Sequence, residues 1–145
     1  TGFNTELTGR ENVFLNGALM GIPRAQLKER LEAIVEFAEL DEFIDAPVKT
    51  YSSGMYMRLG FAVAIHVNPD VLLIDEVLAV GDEAFVHKCL DKISEFRRRK
   101  KTIILVTHSL GLVEKMADEA LYEAKGNGRN QVCVYGARKK GWFKR

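Results

Sequence analysis

The chain has 145 residues, 47% of them hydrophobic, and a formal net charge of +1. That length suits one domain with a real core, and the near-zero charge argues against a general nucleic-acid or anionic-membrane surface. No apolar run approaches the roughly 20 residues that span a bilayer, and Cys89 and Cys133 make neither a disulfide framework nor a metal-ligand spacing, as in a reduced, cytosolic protein.

Thr1 to Glu6 is a mostly polar opening. The chain begins with Thr1 rather than Met, carries no signal-peptide pattern and reads as a fragment. Thr8-x-x-Glu11 fits a capping box and predicts a helix over 9–20, with Val13, Leu15, Leu19 and Met20 on its apolar side. Gly21-Ile22-Pro23 breaks it, and Pro23 can open a second helix over about 24–38. That helix carries Leu27, Leu31, Ile34, Val35 and Ala38 at helical spacing. A short helical turn and a loop follow to Lys49.

Ser52, Ser53 and Gly54 then form a turn and a cap, because short hydroxyl side chains satisfy the free N–H groups of a first helical turn. Those N–H groups, with the helix dipole, suit an anion. The helix they open, 55–67, has an apolar majority and is mostly buried. Asn68-Pro69-Asp70 ends it. Val71 to Ile74 is a continuous apolar run, the pattern of a strand buried on both faces of a parallel sheet. Asp75 and Glu76 lie at its carboxyl end, where open sheets place their ligands.

An amphipathic helix is predicted over 83–99, with Phe85, Cys89, Ile93 and Phe96 on one face. The cations Arg97 to Lys101 at its end suit the helix dipole better than a nucleic-acid patch. A second buried strand is predicted over 102–106. A helix over 109–125 carries Val113, Ala117, Ala120, Leu121 and Ala124 on one face, and Gly126-Asn127-Gly128 stops it. Residues 131–135 are β-prone and predict a third strand. Arg138-Lys139-Lys140 and Lys144-Arg145 make a basic end. The alternation of helices and short apolar strands predicts an α/β fold with a mainly parallel sheet.

The block from Tyr51 to Asp82 resembles the nucleotide-binding domain of ABC-type ATPases. Tyr51-Ser52-Ser53-Gly54-Met55 is similar to the signature motif, usually Leu-Ser-Gly-Gly-Gln, with Ser at 53 and Met at 55 as departures. Val71 to Glu76 resembles the Walker B strand, Ala79-Val80-Gly81-Asp82 the D-loop, and Thr107-His108 the switch-histidine loop. Each motif alone is weak, and their order and spacing together are strong. With Leu7-Thr8-Gly9-Arg10-Glu11-Asn12 upstream, the wording most resembles exporters of bacterial polysaccharide, O-antigen and teichoic acids.

The resemblance implies a partial P-loop NTPase fold over 1–117. Within it, 8–67 corresponds to the helical subdomain and 68–117 to the region from Walker B to the switch histidine. It implies ATP and Mg as cofactors. Ser52, Ser53 and Gly54 would touch the γ-phosphate of ATP held by a second copy, Asp75 would orient Mg through water, and Glu76 would act as general base. His108 would sense the γ-phosphate, and Asp82 would lie at the dimer interface. The implied partners are a transmembrane permease and a second nucleotide-binding domain, with no nucleic acid. The implied place is the inner face of the bacterial plasma membrane, on its cytoplasmic side.

Plainer readings exist for each motif. Ser-Ser-Gly is also an ordinary helix cap, Asp-Glu a solvated loop, and His108 a cap beside Ser109. His66 and His87 read as structural. No Gly-x-x-x-x-Gly-Lys-Ser/Thr occurs, so the loop that cradles ATP phosphates is absent from these residues, and the chain alone is expected neither to bind nor to hydrolyse ATP. The rival readings are a non-catalytic interaction module and a soluble ABC-type ATPase acting on DNA. Residues 118–145 form an atypical end. Within it, 117–125 and Gly128-Arg129-Asn130 resemble the closing helix and turn of a diguanylate-cyclase domain without its catalytic loop.

Overall fold

The computed structural model describes residues 2–75, 82–106 and 133–135. Thr8 starts the first helix, α1 (Gly9–Leu19), with both halves of the predicted capping box: Thr8 Oγ1 accepts from the Glu11 N–H, and the Glu11 carboxylate accepts from the Thr8 N–H. Pro23 caps α2 (Arg24–Ala38), which buries all five predicted residues, Leu27, Leu31, Ile34, Val35 and Ala38. Glu39 ends α2 in the left-handed conformation (φ 57°). A 3-10 turn (Val48–Thr50) leads to α3 (Ser53–His66).

The face of α1 differs from its expectation. Leu15, Leu19 and Met20 are exposed, and the buried positions are Gly9, Asn12, Val13, Asn16 and Gly17. Two local causes act here. Asn12 faces inward because its side chain secures the N-terminal segment, donating to the carbonyls of Asn4, Leu7 and Thr8 and accepting from the Asn4 N–H. Gly17 faces inward because a Cβ there would stand 2.3 Å from Leu27 Cδ2, so only glycine lets α1 approach α2 this closely.

Three strands follow: β1 (Val71–Asp75), β2 (Thr102–Val106) and β3 (Cys133–Tyr135), with α4 (Glu83–Arg98) between the first two. All pairs are parallel, in the order β1-β2-β3. The third strand forms where β-propensity placed it and pairs with β2. The described chain is thus an α/β fold in which a helical subdomain leads into a short parallel sheet flanked by helices.

Two cores share α3. Leu59, Ala62 and Val63 pack with Val13, Ile34, Ala38, Leu40 and Val48 in the helical core. Phe61 and Ile65 pack with Leu72, Ile74, Phe85, Cys89, Ile93, Phe96 and Leu105 in the sheet core. A helix apolar on most sides is buried on most sides, which is what the composition of α3 predicts. Phe37 packs against both cores, with its ring edge-on to Phe85 at a centroid distance of 5.6 Å and tilted against Phe61 at 6.2 Å.

The strands correct one expectation. Leu72, Ile74 and Leu105 are buried under α3 and α4. Successive side chains on a strand point to opposite faces, so the register Leu73↔Ile104 places Val71, Leu73, Ile104 and Val106 on the other face. Val71 is 55% and Leu73 67% exposed, so the sheet is buried on one face, not both. Among the described residues, no helix is long and apolar enough to cross a membrane.

Candidate functional site

The signature-like turn is held from below. Val48 N–H donates to Leu7 O and Lys49 N–H to Thr5 O, which lays the segment before the turn against the N-terminal residues. Tyr51 Oη donates to Phe43 O at 2.7 Å. Ser52 is then the N-cap of α3, its Oγ accepting from the Met55 N–H at 3.2 Å. The helix-cap reading is therefore true of Ser52, and it does not exclude a second role, because a hydroxyl that accepts one bond keeps its own proton to donate.

Ser53 and Gly54 occupy the first turn, where an N–H has no intrahelical acceptor. Ser53 is exposed. Among the described residues, a Cβ on Gly54 would meet a single atom within 4 Å, Ser52 Oγ at 3.8 Å. Packing among the described residues therefore gives no reason for glycine at 54, and its φ is not in the left-handed region. Glycine at 54 leaves room for close approach from outside the chain.

The second part of the site lies at the carboxyl edge of the sheet. Asp75 is the last residue of β1 and pairs in register with Val106, the last residue of β2. Two motifs about thirty positions apart in sequence thus leave the sheet from adjacent strands at one edge: Glu76 is the residue after Asp75, and His108 is the second after Val106. Glu76 and His108 themselves lie outside the described residues, as do the helix predicted over 109–125 and the segment likened to a diguanylate cyclase.

Asp82 is the N-cap of α4. Its Oδ1 accepts from the Phe85 N–H at 2.8 Å and its Oδ2 from Arg58 Nη2 at 2.6 Å. The Phe85 N–H first, then the Arg58 guanidinium, hold this carboxyl below the usual carboxylate range. Arg58 was not among the expected site residues. Its signal was in the sequence: it is the one Lys, Arg, Asp or Glu in the apolar stretch 55–67.

The other titratable groups of the two cores fit structural roles. The His66 ring stands edge-on to Phe37, its Nδ1 lies 2.8 Å from Ala62 O, and burial first, then the nearby cations Lys92 and Arg30, push its pKa down. Burial drives the Cys89 thiol up to about 12, so it stays protonated and inert. Grooves of about 400 Å³ beside Arg10, Glu32 and Asp41, and of about 280 Å³ beside Arg30, His66 and Lys92, contain none of the expected site residues. No group of three or more His, Cys, Asp and Glu side chains could hold a metal ion among the described residues. The free N–H groups of the first turn of α3 are of the kind that suits an anion.

Comparison with known proteins agrees with this layout. The family profile described as "ABC transporter" matches residues 1–79. The chain is 57% identical over 121 residues to the O-antigen export system ATP-binding protein RfbB of Myxococcus xanthus, covering 83% of this chain and 28% of that protein. It is 48% identical over 136 residues to the teichoic acids export ATP-binding protein TagH of Bacillus anthracis, covering 94% of this chain and 24% of that protein. Among solved structures, the ATP-binding subunit of an ABC transporter superposes with a TM-score of 0.70 at 25% identity, over 78% of this chain and 47% of that one. The chain thus spans about a quarter of the length of the two curated relatives. Neither of them lends support to a cyclase-like end.

Proposed function

Because the chain belongs to the ABC transporter family, we propose that it is part of the ATP-hydrolysing subunit of an exporter of surface polysaccharide, of O-antigen or teichoic-acid type. The observation that supports this is the register of β1 and β2, whose last residues Asp75 and Val106 pair at one sheet edge; Glu76 follows the first in sequence and His108 the second. The relatives named for O-antigen and teichoic acid export support the substrate class.

In this mechanism each residue has a narrow task. Glu76 accepts the proton of the attacking water as that oxygen bonds to the γ-phosphorus and the bond to the β-phosphate oxygen breaks. His108 hydrogen-bonds the γ-phosphate oxygens. Asp75 would hold Mg through its water shell, and Mg, when bound, would supply positive charge to offset that developing on the phosphate oxygens. The Ser52 hydroxyl and the Ser53 and Gly54 N–H groups close on the γ-phosphate from a second copy of the chain. Asp82, the last residue of the D-loop, lies at the border of that dimer. A transmembrane permease on the inner face of the plasma membrane would receive the resulting motion through the helical subdomain.

The phosphate-cradling loop is not among the 145 residues, so the test uses a full-length protein carrying this chain. Glu76→Gln should keep ATP binding and lower turnover by roughly 100-fold or more, as loss of a general base does. Steady-state ATPase assays with equilibrium ATP binding measure both quantities. Turnover at the parental rate would remove Glu76 from the reaction and the proposal with it.

A further inference from the structure

Arg58 lies near the middle of α3, with its side chain only 16% exposed. One arm, Nη1, donates to Glu39 Oε2 at 2.6 Å, and the other, Nη2, donates to Asp82 Oδ2 at 2.6 Å. Its guanidinium carbon stands 4.8 Å from the centroid of the Phe85 ring. Both partners are chain-end positions of helices. Glu39 is the left-handed C-cap of α2, and Asp82 is the N-cap of α4. A planar fork that engages two carboxylates and an aromatic face holds position as well as charge, which a lysine cannot reproduce.

The placement matters because of what lies on either side. Segment 76–81, which begins with Glu76, is bounded by two fixed points. Asp75 is one, tied by the β1–β2 ladder, and Asp82 is the other, tied to Arg58. Arg58 in turn sits on the helix whose first turn is Ser53-Gly54. A shift of α3 along its axis therefore moves one anchor of the segment that carries Glu76. Lys88 reinforces the tie from α4, donating to Glu39 Oε1 at 2.8 Å.

We infer that Arg58 is a positioning residue that couples the signature turn to the segment bearing Glu76 through Asp82. Its Asp82 arm sets where that segment ends relative to α3, and its Glu39 arm fixes α3 to α2. Asp82 thereby serves its own chain before it meets any second copy. This inference rests on the proposed ATPase role of Glu76.

The test is a double-mutant cycle on ATPase activity in the full-length protein. Asp82→Asn keeps a good N-cap while removing the charge that Arg58 binds, so it should fold even if a change at Arg58 does not. Asp82→Asn and Arg58→Lys should each lower kcat by roughly tenfold and leave KM for ATP within about twofold, since they disturb alignment and not binding. The double variant should be no worse than Arg58→Lys alone, because both changes break the Arg58–Asp82 contact. Additive losses, or losses in KM alone, would overturn the inference. The Glu76→Gln variant separates the two claims. If it is inactive while Asp82→Asn and Arg58→Lys turn over like the parent, this inference fails alone. If Glu76→Gln is fully active, the functional reading fails and this inference with it.

Discussion

The helical core and the sheet core are built from similar residues and are closed to different degrees. Val13, Ile34, Ala38, Leu59 and Ala62 are fully out of solvent, enclosed by α1, α2 and α3. The sheet core encloses Leu72, Ile74 and Leu105 under α3 and α4, yet the same strands present Val71 and Leu73 to solvent on their other face. Three helices can close a core among themselves, whereas a parallel sheet needs cover on both faces. The helical part should therefore carry most of the stability of this chain, and the sheet part should supply the edge where the chemistry sits.

The sharpest way to break that comparison pairs two truncations of aliphatic side chains. Ile34→Ala, in the closed core, should cost about 2–5 kcal/mol. Leu73→Thr, on the open face, should change stability by no more than about 0.5 kcal/mol. Denaturant unfolding of this chain measures both. Equal losses would mean that the sheet is closed on both sides in solution.

The two regions also differed in how openly the sequence displayed them. In α2 the apolar stripe has the helical period, so every buried residue could be named in advance. In α1 the buried face is Val13 together with Asn12, Asn16 and two glycines, types that hydropathy assigns to the surface, while Leu15 and Leu19 face out. In β1 the run Val-Leu-Leu-Ile shows no alternation, so periodicity could not show that one face is open. Ser52 at a helix start and Asp75 at a strand end could be read from the sequence, because each motif is contiguous. Arg58 could not, because its partners Glu39 and Asp82 lie 19 and 24 positions away.

A smaller effect tests how the helical part closes. Gly17→Ala should cost about 1–3 kcal/mol, since its Cβ would stand 2.3 Å from a fully buried Leu27 side chain. Combining it with Leu27→Ala, which removes the obstructing atoms, should cost less than the sum of the two single changes. Thermal melts of the four proteins decide the matter, and strict additivity would contradict the close approach of α1 and α2.

The smallest effect concerns His66, beside the aromatic bridge between the cores. Its pKa in the folded chain lies below the ordinary 6.5, mainly because of burial. The unfolded chain thus takes up that proton first as pH falls, so the contribution of the neutral ring is full above 6.5 and is lost progressively below it. Unfolding free energy should fall between about pH 7.5 and pH 5.5, a window above most carboxylate titrations. The part of that slope due to His66 should vanish in His66→Gln. An identical slope in the variant would show that His66 does not link the cores to pH.

The claim at the centre is that the signature turn of one chain serves the Glu76 of another, and mixing two inactive proteins tests it most directly. Full-length Ser52→Arg places bulk where the γ-phosphate would sit, and full-length Glu76→Gln lacks the base. Each alone should be nearly inactive. In a freely exchanging 1:1 mixture, half of the dimers are mixed, and each of those holds one site built from an intact Ser52 and an intact Glu76. ATPase activity should therefore rise to about a quarter of the parental rate. A mixture that stays at the level of its two components would contradict a site shared between chains.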